Sequence, residues 1–376
     1  GGVCTLTRVH LEEDTGKLTH GVGEYSEVDL NRAGIPLLEI VSEPEIRSAA
    51  DARGCLEELR LTLRYLGVSD CEMQEGSLRC DANVNLHIHK DGKTIATPIV
   101  EIKNLNSFRA VEKALNYEVE RQYAKWREDG LTIKDAPKTT RGWNDVEEVT
   151  KPQREKETAA DYRYFPEPDL VPVVVDDAWK ERVRASIGEL PAARRKRFES
   201  DYSLSPYDAN VLVEQGQDVA DYYDAVARST GAYKLASNWI QQDVLRTIKD
   251  RKQSIADFPI TPDALADLIN RVERGELNTN QGREALGRML ETGDPAEVVI
   301  EIGGYKMVSD RDDIAKAVDA ALAANPQALE DLKKGKKKPE AVKGFLRGQV
   351  MKQTGGKANP AVVGDLLEAK LAELLA

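Results

Sequence analysis

Several carboxylates of this sequence stand inside apolar stretches, where a charged side chain needs a partner. Glu39 interrupts the apolar run 35–41, Glu101 lies between two β-branched residues, and Glu13 ends the segment RVHLEE. Burying a carboxylate without a partner costs several kcal/mol, so each must face water, a cation or a positive side chain. Carboxylates from separate strands that meet in a cleft suit Mg²⁺, which keeps water and phosphate oxygens among its ligands. A magnesium site is one interpretation, and exposed strand faces are the other.

A second group of polar residues alternates with apolar ones in DANVNLHIH, residues 81–89. Strand side chains alternate between the two faces of a sheet, so this pattern predicts one apolar face and one polar face. The predicted polar face contains Asp81, Asn83, Asn85, His87 and His89. A solvated face of an antiparallel sheet is one interpretation, and the lining of a binding cleft is the other.

The next segment, TIATPIVEIK, predicts a second strand after a hairpin turn at Asp91-Gly92. Pro98 weakens this strand or confines it to an edge, because proline has no N–H to donate. Glu101 and Lys103 share one face of it, which adds charged groups to the predicted sheet.

Other catalytic motifs are weak or absent. His87 and His89 share a strand face, but without a third ligand they are favoured as a surface pair over a zinc site. The sequence has no GxxxxGK[ST] loop, which excludes a P-loop, and no GxSxG segment for a serine hydrolase.

The elements that must position these residues predict an α+β fold followed by an all-helical region. Residues 1–180 mix strands with two amphipathic helices, one starting near Ser48 and ending at Gly67, the other starting near Ser107 and ending at Gly130. We predict three domains, at 1–180, 181–305 and 306–376.

Composition limits the class of protein. Of the 376 residues 41% are hydrophobic and 31% charged, and the net charge of −12 argues against a surface that is basic throughout. We find no apolar stretch for a membrane span and no secretory leader, and the four cysteines lack metal-ligand spacing. We therefore expect a cytoplasmic protein, or an organellar one in a eukaryote, with reduced thiols and no membrane partner. Because the chain opens GGVCTLTRV, we also expect a segment that precedes it.

Positive charge is concentrated near the end of the chain. Between residues 331 and 357 nine Lys or Arg stand against two Asp or Glu. A solvated loop and a set of contacts to nucleic-acid phosphates are both consistent with this pattern.

Long stretches of the sequence resemble one family, the B subunit of the tRNA-dependent amidotransferase. They include RVHLEEDTGKLTH, VDLNRAGIPLLEIVSEPEIRS, EMQEGSLRCDANVNL, EIKNLNSFRAVEKALNYEVERQ, TRGW, DYRYFPEPDLVP, LPAARRKRF, SNWI and GFLRGQVMKQTGGKANP. They occur in family order and cover essentially the whole chain, so the resemblance is highly specific.

The resemblance implies a fold and a reaction. The fold would be a cradle with a curved antiparallel sheet, like glutamine synthetase and the guanido kinases, then a helical domain and a small helical tail. The cradle would use ATP and Mg²⁺ to phosphorylate the side-chain carboxylate of Glu-tRNA(Gln) or Asp-tRNA(Asn). Ammonia from a glutaminase (A) subunit would then displace the phosphate, and a small C subunit would complete the enzyme.

The resemblance also implies roles for particular residues. The implied metal ligands are Glu13, Glu39 and Glu101, and Asp81 would lie in the same catalytic cleft. The implied nucleotide-binding residues are Ser77, Arg79, Asn83 and Lys103, with His10 and Glu12 as neighbours. The basic residues for tRNA are Lys336, Lys337, Lys343, Arg347, Lys352 and Lys357.

The chain departs from the family in two respects. It lacks an N-terminal segment with a Glu-x-His stretch that contributes to the metal site, which makes a tRNA-binding scaffold without catalysis the alternative. In addition, Thr97-Pro98 and Lys138-Thr139 replace the usual residues before two motifs, so we predict no catalytic role for those positions. A free-standing ligase for a small molecule fits less well, because of the helical tail.

Overall fold

The computed structural model describes residues 2–20, 25–153, 168–305, 311–333, 339–356 and 358–375. The chain divides into two compact units, Gly1–Leu190 and Pro191–Ala376. Strands lie in the first unit and helices alone make up the described part of the second, as the sequence predicts for a mixed α+β protein. The three-domain division remains a prediction. Within the described ranges, every helix is too short or too polar to cross a bilayer.

The strands of the first unit form several small sheets. The strands are β1 (Leu6–Glu13), β2 (Lys17–His20), β3 (Ser26–Asp29), β4 (Pro36–Ser42), β5 (Ala82–Val84), β6 (His87–Lys90), β7 (Lys93–Ala96), β8 (Val100–Lys103), β9 (Thr139–Asn144) and β10 (Val149–Pro152). Three two-stranded ribbons pair β1 with β4, β2 with β3 and β6 with β7, and the larger sheet has the order β10-β9-β8-β5. In the larger sheet β8 and β9 are parallel and the other neighbours are antiparallel.

The helices account for most of the chain. They are α1 (Ala49–Tyr65), α2 (Phe108–Asp129), α3 (Asp177–Ser186), α4 (Pro191–Ser200), α5 (Pro206–Glu214), α6 (Gln217–Thr230), α7 (Tyr233–Trp239), α8 (Leu245–Asp250), α9 (Pro262–Glu273), α10 (Thr279–Thr292), α11 (Ala296–Gly303), α12 (Arg311–Ala324), α13 (Pro326–Lys333), α14 (Pro339–Gln353) and α15 (Pro360–Leu375). A π-helical turn, Ile240–Val244, joins α7 to α8.

The two helices predicted in the first unit are confirmed, with their ends. Ser48 and Ser107 each cap a helix by accepting a hydrogen bond from the N–H three residues later. Gly67 and Gly130 adopt left-handed backbone angles of 66° and 67° at the opposite ends, which glycine does without steric cost.

Helix α2 covers the apolar face of the four-stranded sheet. Val100 and Ile102 of β8 are buried with Ala110, Val111 and Ala114 of α2, and Trp143 of β9 joins the same cluster. Since α2 connects β8 to β9, the three elements form a crossover between parallel strands. The opposite face of the sheet carries the cross-strand pair Asn83 and Glu101.

The two long strands predicted around the hairpin are each interrupted. β5 and β6 are separated at Asn85-Leu86, and β7 and β8 are separated at residues 97–99. The hydroxyl of the buried Thr97 accepts a hydrogen bond from the Leu86 N–H (2.8 Å) and donates one to Gln122 (3.1 Å), which fixes this bend. The hairpin turn itself is confirmed, with positive φ at Asp91 and Gly92.

The second unit has its helical core and a separate cluster near its end. Phe198, Leu212, Tyr223 and Leu268 are among the fully buried side chains of the core. A distinct hydrophobic cluster joins α12, α14 and α15, with Val318, Leu346 and Leu367 at its centre.

The Asn278 side chain, at the start of α10, has two hydrogen-bond partners in different parts of the second unit. The Asn278 side-chain oxygen accepts a hydrogen bond from the Gln281 N–H (2.9 Å), which completes a capping box. Its amide nitrogen donates to the Gly356 carbonyl (3.0 Å) in the turn after α14. Asn278 therefore connects the first turn of α10 to the segment between α14 and α15.

Two glycines of α10 allow a matched test of core packing. A Cβ on Gly282 would lie 2.7 Å from Val272 Cγ2 and 3.0 Å from Trp239 Cη2, whereas a Cβ on Gly287 would meet nothing within 4 Å. We expect Gly282→Ala to lower the free energy of unfolding by about 1–3 kcal/mol through overpacking. We expect Gly287→Ala to raise it by about 0.5–1 kcal/mol through helix propensity. Urea unfolding of both variants measures the difference, and equal effects of the two substitutions would contradict the packing described here.

Candidate active site

The β1–β4 ribbon brings an imidazole and two carboxylates together. His10 is the cross-strand partner of Glu39, and Glu12 lies two residues further along β1 on the same face. One ligand atom from each of the three lies within 4.8 Å of the others. His10 and Glu12 lie on β1 and Glu39 lies on β4, so their proximity depends on the register of the two strands.

Glu13 does not share that face. It is the partner of Pro36, and the alternation of β1 directs it to the side opposite His10, Glu12 and Glu39. Its role as a ligand together with Glu39 therefore remains a prediction that the strand geometry does not favour.

The carboxylates of Glu12 and Glu39 are solvent-accessible, and their negative charge is partly neutralised by neighbouring side chains. Arg8 Nη2 lies 2.9 Å from Glu39 Oε2, and His10 Nδ1 lies 3.9 Å from Glu12 Oε1. The donor set of two carboxylates and one imidazole fits a divalent cation. The open side of the ribbon leaves coordination positions for water or phosphate oxygens, which Mg²⁺ requires.

The polar face of the larger sheet forms a second cluster. Asn83 and Glu101 are cross-strand partners, and Asp81 and Lys103 continue the same face. Lys103 Nζ lies 2.8 Å from Asp81 Oδ2 and 3.7 Å from Glu101 Oε1. Alternation predicts that Asp81 and Asn83 share one face and that Glu101 and Lys103 share another, and the pairing of β5 with β8 brings the two pairs together.

Lys138, directly before β9, and Thr140 of β9 complete this cluster. Lys138 Nζ lies 3.4 Å from Glu101 Oε1, and the Thr140 hydroxyl donates to Glu101 Oε2 at 3.2 Å. The sequence analysis assigns no role to Lys138, because the family pattern is not kept at 138–139, and it does not single out Thr140, which begins the matching motif TRGW. The signal that could have found them is the β8–α2–β9 crossover, which makes Thr140 the parallel neighbour of Glu101.

Opposite charges in this cluster shift its pKa values in a consistent direction. Burial alone would raise the pKa of Glu101, but Lys103 and Lys138 outweigh it and hold the pKa below its usual value. The hydrogen bond to Asp81 raises the pKa of Lys103 above its usual value, against a smaller effect of burial. Glu101 and Lys103 are therefore both charged at neutral pH.

Ion pairs of Asp14 link the β1–β4 ribbon to the segment that leads into the polar face of the larger sheet. Asp14, directly after β1, binds Arg32 Nε at 2.9 Å and lies 3.6 Å from Nη2 of Arg79. Arg79 is two residues before Asp81, so this link joins the end of β1 to the start of the polar face. Within the described residues, no hydrogen bond or ion pair joins Glu39 directly to Glu101. The grouping of Glu13, Glu39 and Glu101 around one ion remains a prediction.

Ser77, the remaining predicted nucleotide-site residue, and the histidine pair His87 and His89 are held by different contacts. The Ser77 hydroxyl donates to Asp70 and accepts from the Glu72 N–H (2.8 Å), so it closes the turn before Arg79. His89 Nδ1 contacts the Thr94 hydroxyl (3.0 Å) across the β6–β7 ribbon. His87 and His89 belong to no metal-ligand group among the described residues.

The predicted basic residues of the tail are only partly described. Lys336, Lys337 and Lys357 lie outside the described residues, as does the segment 161–167 of the motif DYRYFPEPDLVP. Lys343 is paired with Glu368 at 2.6 Å. Arg347 and Lys352 are exposed on α14, as is Phe345 of the same helix, which no sequence pattern singles out.

Comparisons with known proteins define the class to which this fold and site belong. Residues 3–181 match the family profile described as the GatB/GatE catalytic domain, and residues 221–371 match the GatB domain. The candidate site thus lies wholly within the catalytic-domain match.

Full-length relatives identify the family. The B subunit of the aspartyl/glutamyl-tRNA(Asn/Gln) amidotransferase of Rhodopirellula baltica is 49% identical over 373 residues, which cover 98% of this chain and 74% of the relative. The corresponding B subunits of Moorella thermoacetica and Carboxydothermus hydrogenoformans are 47% and 44% identical, with 98% of this chain and 76% of each relative covered. The chain belongs to this family, the B subunits of aspartyl/glutamyl-tRNA(Asn/Gln) amidotransferases.

The charges around Glu101 can be tested by titration. We expect Lys138→Met to raise the pKa of Glu101, because it removes one of the two cations that lower it. Lys151→Met is the matched control, since Lys151 of β10 is paired with Glu147 instead. Carboxyl ¹³C NMR measures the pKa of Glu101, and an unchanged value in Lys138→Met would contradict the described contact.

Proposed function

We propose that this chain carries out the ATP-dependent step of a tRNA-dependent amidotransferase. In that step the side-chain carboxylate of Glu-tRNA(Gln) or Asp-tRNA(Asn) is phosphorylated. The observation that carries the proposal is the polar sheet face, where Asp81, Glu101, Lys103 and Lys138 meet on the side away from α2. The cradle architecture is part of the same proposal.

The reaction needs activation because a carboxylate is a poor acyl donor. An oxygen of the substrate carboxylate attacks the γ-phosphorus of ATP, a mixed acyl phosphate forms, and ADP leaves. Ammonia then attacks the acyl carbon, inorganic phosphate leaves and a proton is released, which gives the side-chain amide. The first step develops negative charge on the phosphoryl oxygens, and positive groups stabilise it.

The residues of the site divide that work between them. Lys103, Lys138 and Arg79 are the cations available to phosphate oxygens, and Asn83 lies beside them on the same face. His10, Glu12 and Glu39 would hold the divalent cation. Mg²⁺, when bound, supplies charge neutralisation at the triphosphate. Glu101 orients the two lysines, and its role as a second-site ligand is part of the proposal.

The partners follow from the chemistry of the second step. The second step consumes ammonia. We assign its release from glutamine to the A subunit of the complex, and we include a small C subunit as the third component. The relatives carry names that specify both Asp and Glu substrates, and we propose a misacylated tRNA(Gln) or tRNA(Asn) as the substrate here.

A scaffold that binds tRNA without catalysis is the second candidate. The observation that favours it is the compensation of Glu101 by two lysines, which leaves this carboxylate less available to a cation. The two candidates differ in what they predict for Glu39.

A substitution at Glu39 separates catalysis from binding. In the complex assembled with a full-length subunit, we expect Glu39→Ala to abolish ATP-dependent phosphorylation of Glu-tRNA, because it removes a cation ligand. We expect the dissociation constant for tRNA to stay within a few-fold. Glu43→Gln is the control, because Glu43 binds the Thr7 hydroxyl beyond the cluster. Undiminished amide formation by Glu39→Ala would exclude the catalytic assignment.

The tail provides an independent test of tRNA binding. Arg347 and Lys352 are exposed on α14, so each can reach a phosphate and release its counterion. The association constant for tRNA falls as salt rises. We expect Arg347→Ala and Lys352→Ala each to make the slope of log K against log salt less steep by about 1. Lys370→Ala is the control, since Lys370 of the same bundle is paired with Asp319 at 2.9 Å. Equal slopes in all the variants would argue against a tRNA role for this helix.

A further inference from the structure

A fully buried carboxylate lies behind the polar face, and the proposed reaction makes no direct use of it. Glu118 of α2 has no exposed surface. Its two oxygens accept hydrogen bonds from Arg121 Nε and Nη2, both at 2.8 Å, and Gln122 Nε2 donates to it at 3.1 Å. Arg141 Nε of β9 lies 3.3 Å from it, and the Thr150 hydroxyl of β10 also donates to it.

The same network reaches β5 and the bend that precedes β8. Gln122 donates to the Val84 carbonyl of β5 (3.2 Å) and accepts from Thr97, just before β8. Arg141 donates to the Thr150 hydroxyl (2.7 Å) and to the Thr150 carbonyl (2.6 Å). Glu118 is thus the centre of a set of polar contacts that ties α2 to β5, β9 and β10, and to Thr97 in the bend before β8.

The desolvation cost of such a network suggests that it does more than stabilise the fold. A buried ion pair loses the hydration of both charges, and well-packed apolar residues often stabilise a core equally well. What charged groups add is direction, because a carboxylate with four donors admits one arrangement of its partners. Here the arrangement fixes Arg141, and therefore the lateral position of β9.

The position of β9 determines the cluster on the opposite face. Arg141 points toward α2, and its neighbour Thr140 points the other way, where its hydroxyl binds Glu101. Lys138, directly before the same strand, lies 3.4 Å from the other oxygen of Glu101. A shift of β9 relative to β8 would therefore move Lys138 and Thr140 together, away from Glu101.

We infer that Glu118 is a positioning residue for the phosphate-binding face: through Arg141 it fixes β9 so that Lys138 and Thr140 are presented beside Glu101. This inference rests on the proposed function, because it takes that face as the site for the triphosphate. Glu118 acts through other residues and contacts no reacting atom.

The test is a double-mutant cycle read by nucleotide binding. In the assembled complex, isothermal titration with a non-hydrolysable ATP analogue and Mg²⁺ gives the dissociation constant without turnover. We expect Glu118→Gln to weaken binding of the analogue about fivefold or more, and Thr140→Val to weaken it by a similar factor. The two effects should be clearly less than multiplicative in the double variant, because both act through β9. Multiplicative effects, or unchanged binding in Glu118→Gln, would overturn the inference.

A matched control separates positioning from general destabilisation. Asp243, in the second unit, is a buried carboxylate that likewise bridges two arginines, with Arg246 and Arg283 each at 3.2 Å. Asp243→Asn should lower the melting temperature comparably and leave the affinity for the analogue unchanged. Weaker analogue binding in Asp243→Asn, equal to that of Glu118→Gln, would also overturn the inference.

Two further variants keep the result interpretable. If Glu118→Gln does not fold, Thr150→Val replaces it, because it removes the hydroxyl shared by Glu118 and Arg141. Lys138→Met tests the proposed function directly. If it leaves analogue binding unchanged, the assigned phosphate site fails and the inference fails with it. If it weakens binding while the Glu118 and Thr150 variants do not, the inference alone fails.

Discussion

The carboxylate of Glu118 lies in the layer between α2 and the sheet, where solvent cannot stabilise its charge, and every donor around it comes from the protein. Burial raises the pKa of Glu118, but hydrogen bonds from Arg121 and Thr150 outweigh this and hold the pKa below its usual value. Glu118 is therefore ionised at neutral pH. Because the charges of the network must stay paired, helix and strands keep one relative position, and the polar face of the sheet depends on that position.

The electrostatics of the polar face follow from this arrangement. Two carboxylates and two lysines lie within ion-pair distance, so the face is close to neutral and still rich in donors. A triphosphate that approaches such a face competes with Asp81 and Glu101 for the same ammonium groups. In the proposed function the two carboxylates displaced in this way would need a divalent cation to compensate the added negative charge.

The sequence predicted part of this site for a clear physical reason. The period of two along a strand correctly grouped Asp81 with Asn83 and Glu101 with Lys103, since it depends only on local geometry. It could not show that β9 runs parallel to β8, which brings Lys138 and Thr140 to Glu101 across a helical crossover. Nor did it resolve RVHLEE, where His10 and Glu12 face Glu39 but Glu13 does not, because that depends on the register of β1 with β4. The bend at Thr97 was missed because a buried side-chain hydrogen bond causes it.

The two contacts of Asn278 have a consequence for local opening of the second unit. One amide group satisfies a backbone N–H at the beginning of α10 and a carbonyl at Gly356. Rotation of this side chain releases both at once, so fraying of the helix and detachment of the distant turn share one free-energy cost. Segments separated by 78 positions in the chain should then behave as a single cooperative unit in amide hydrogen exchange.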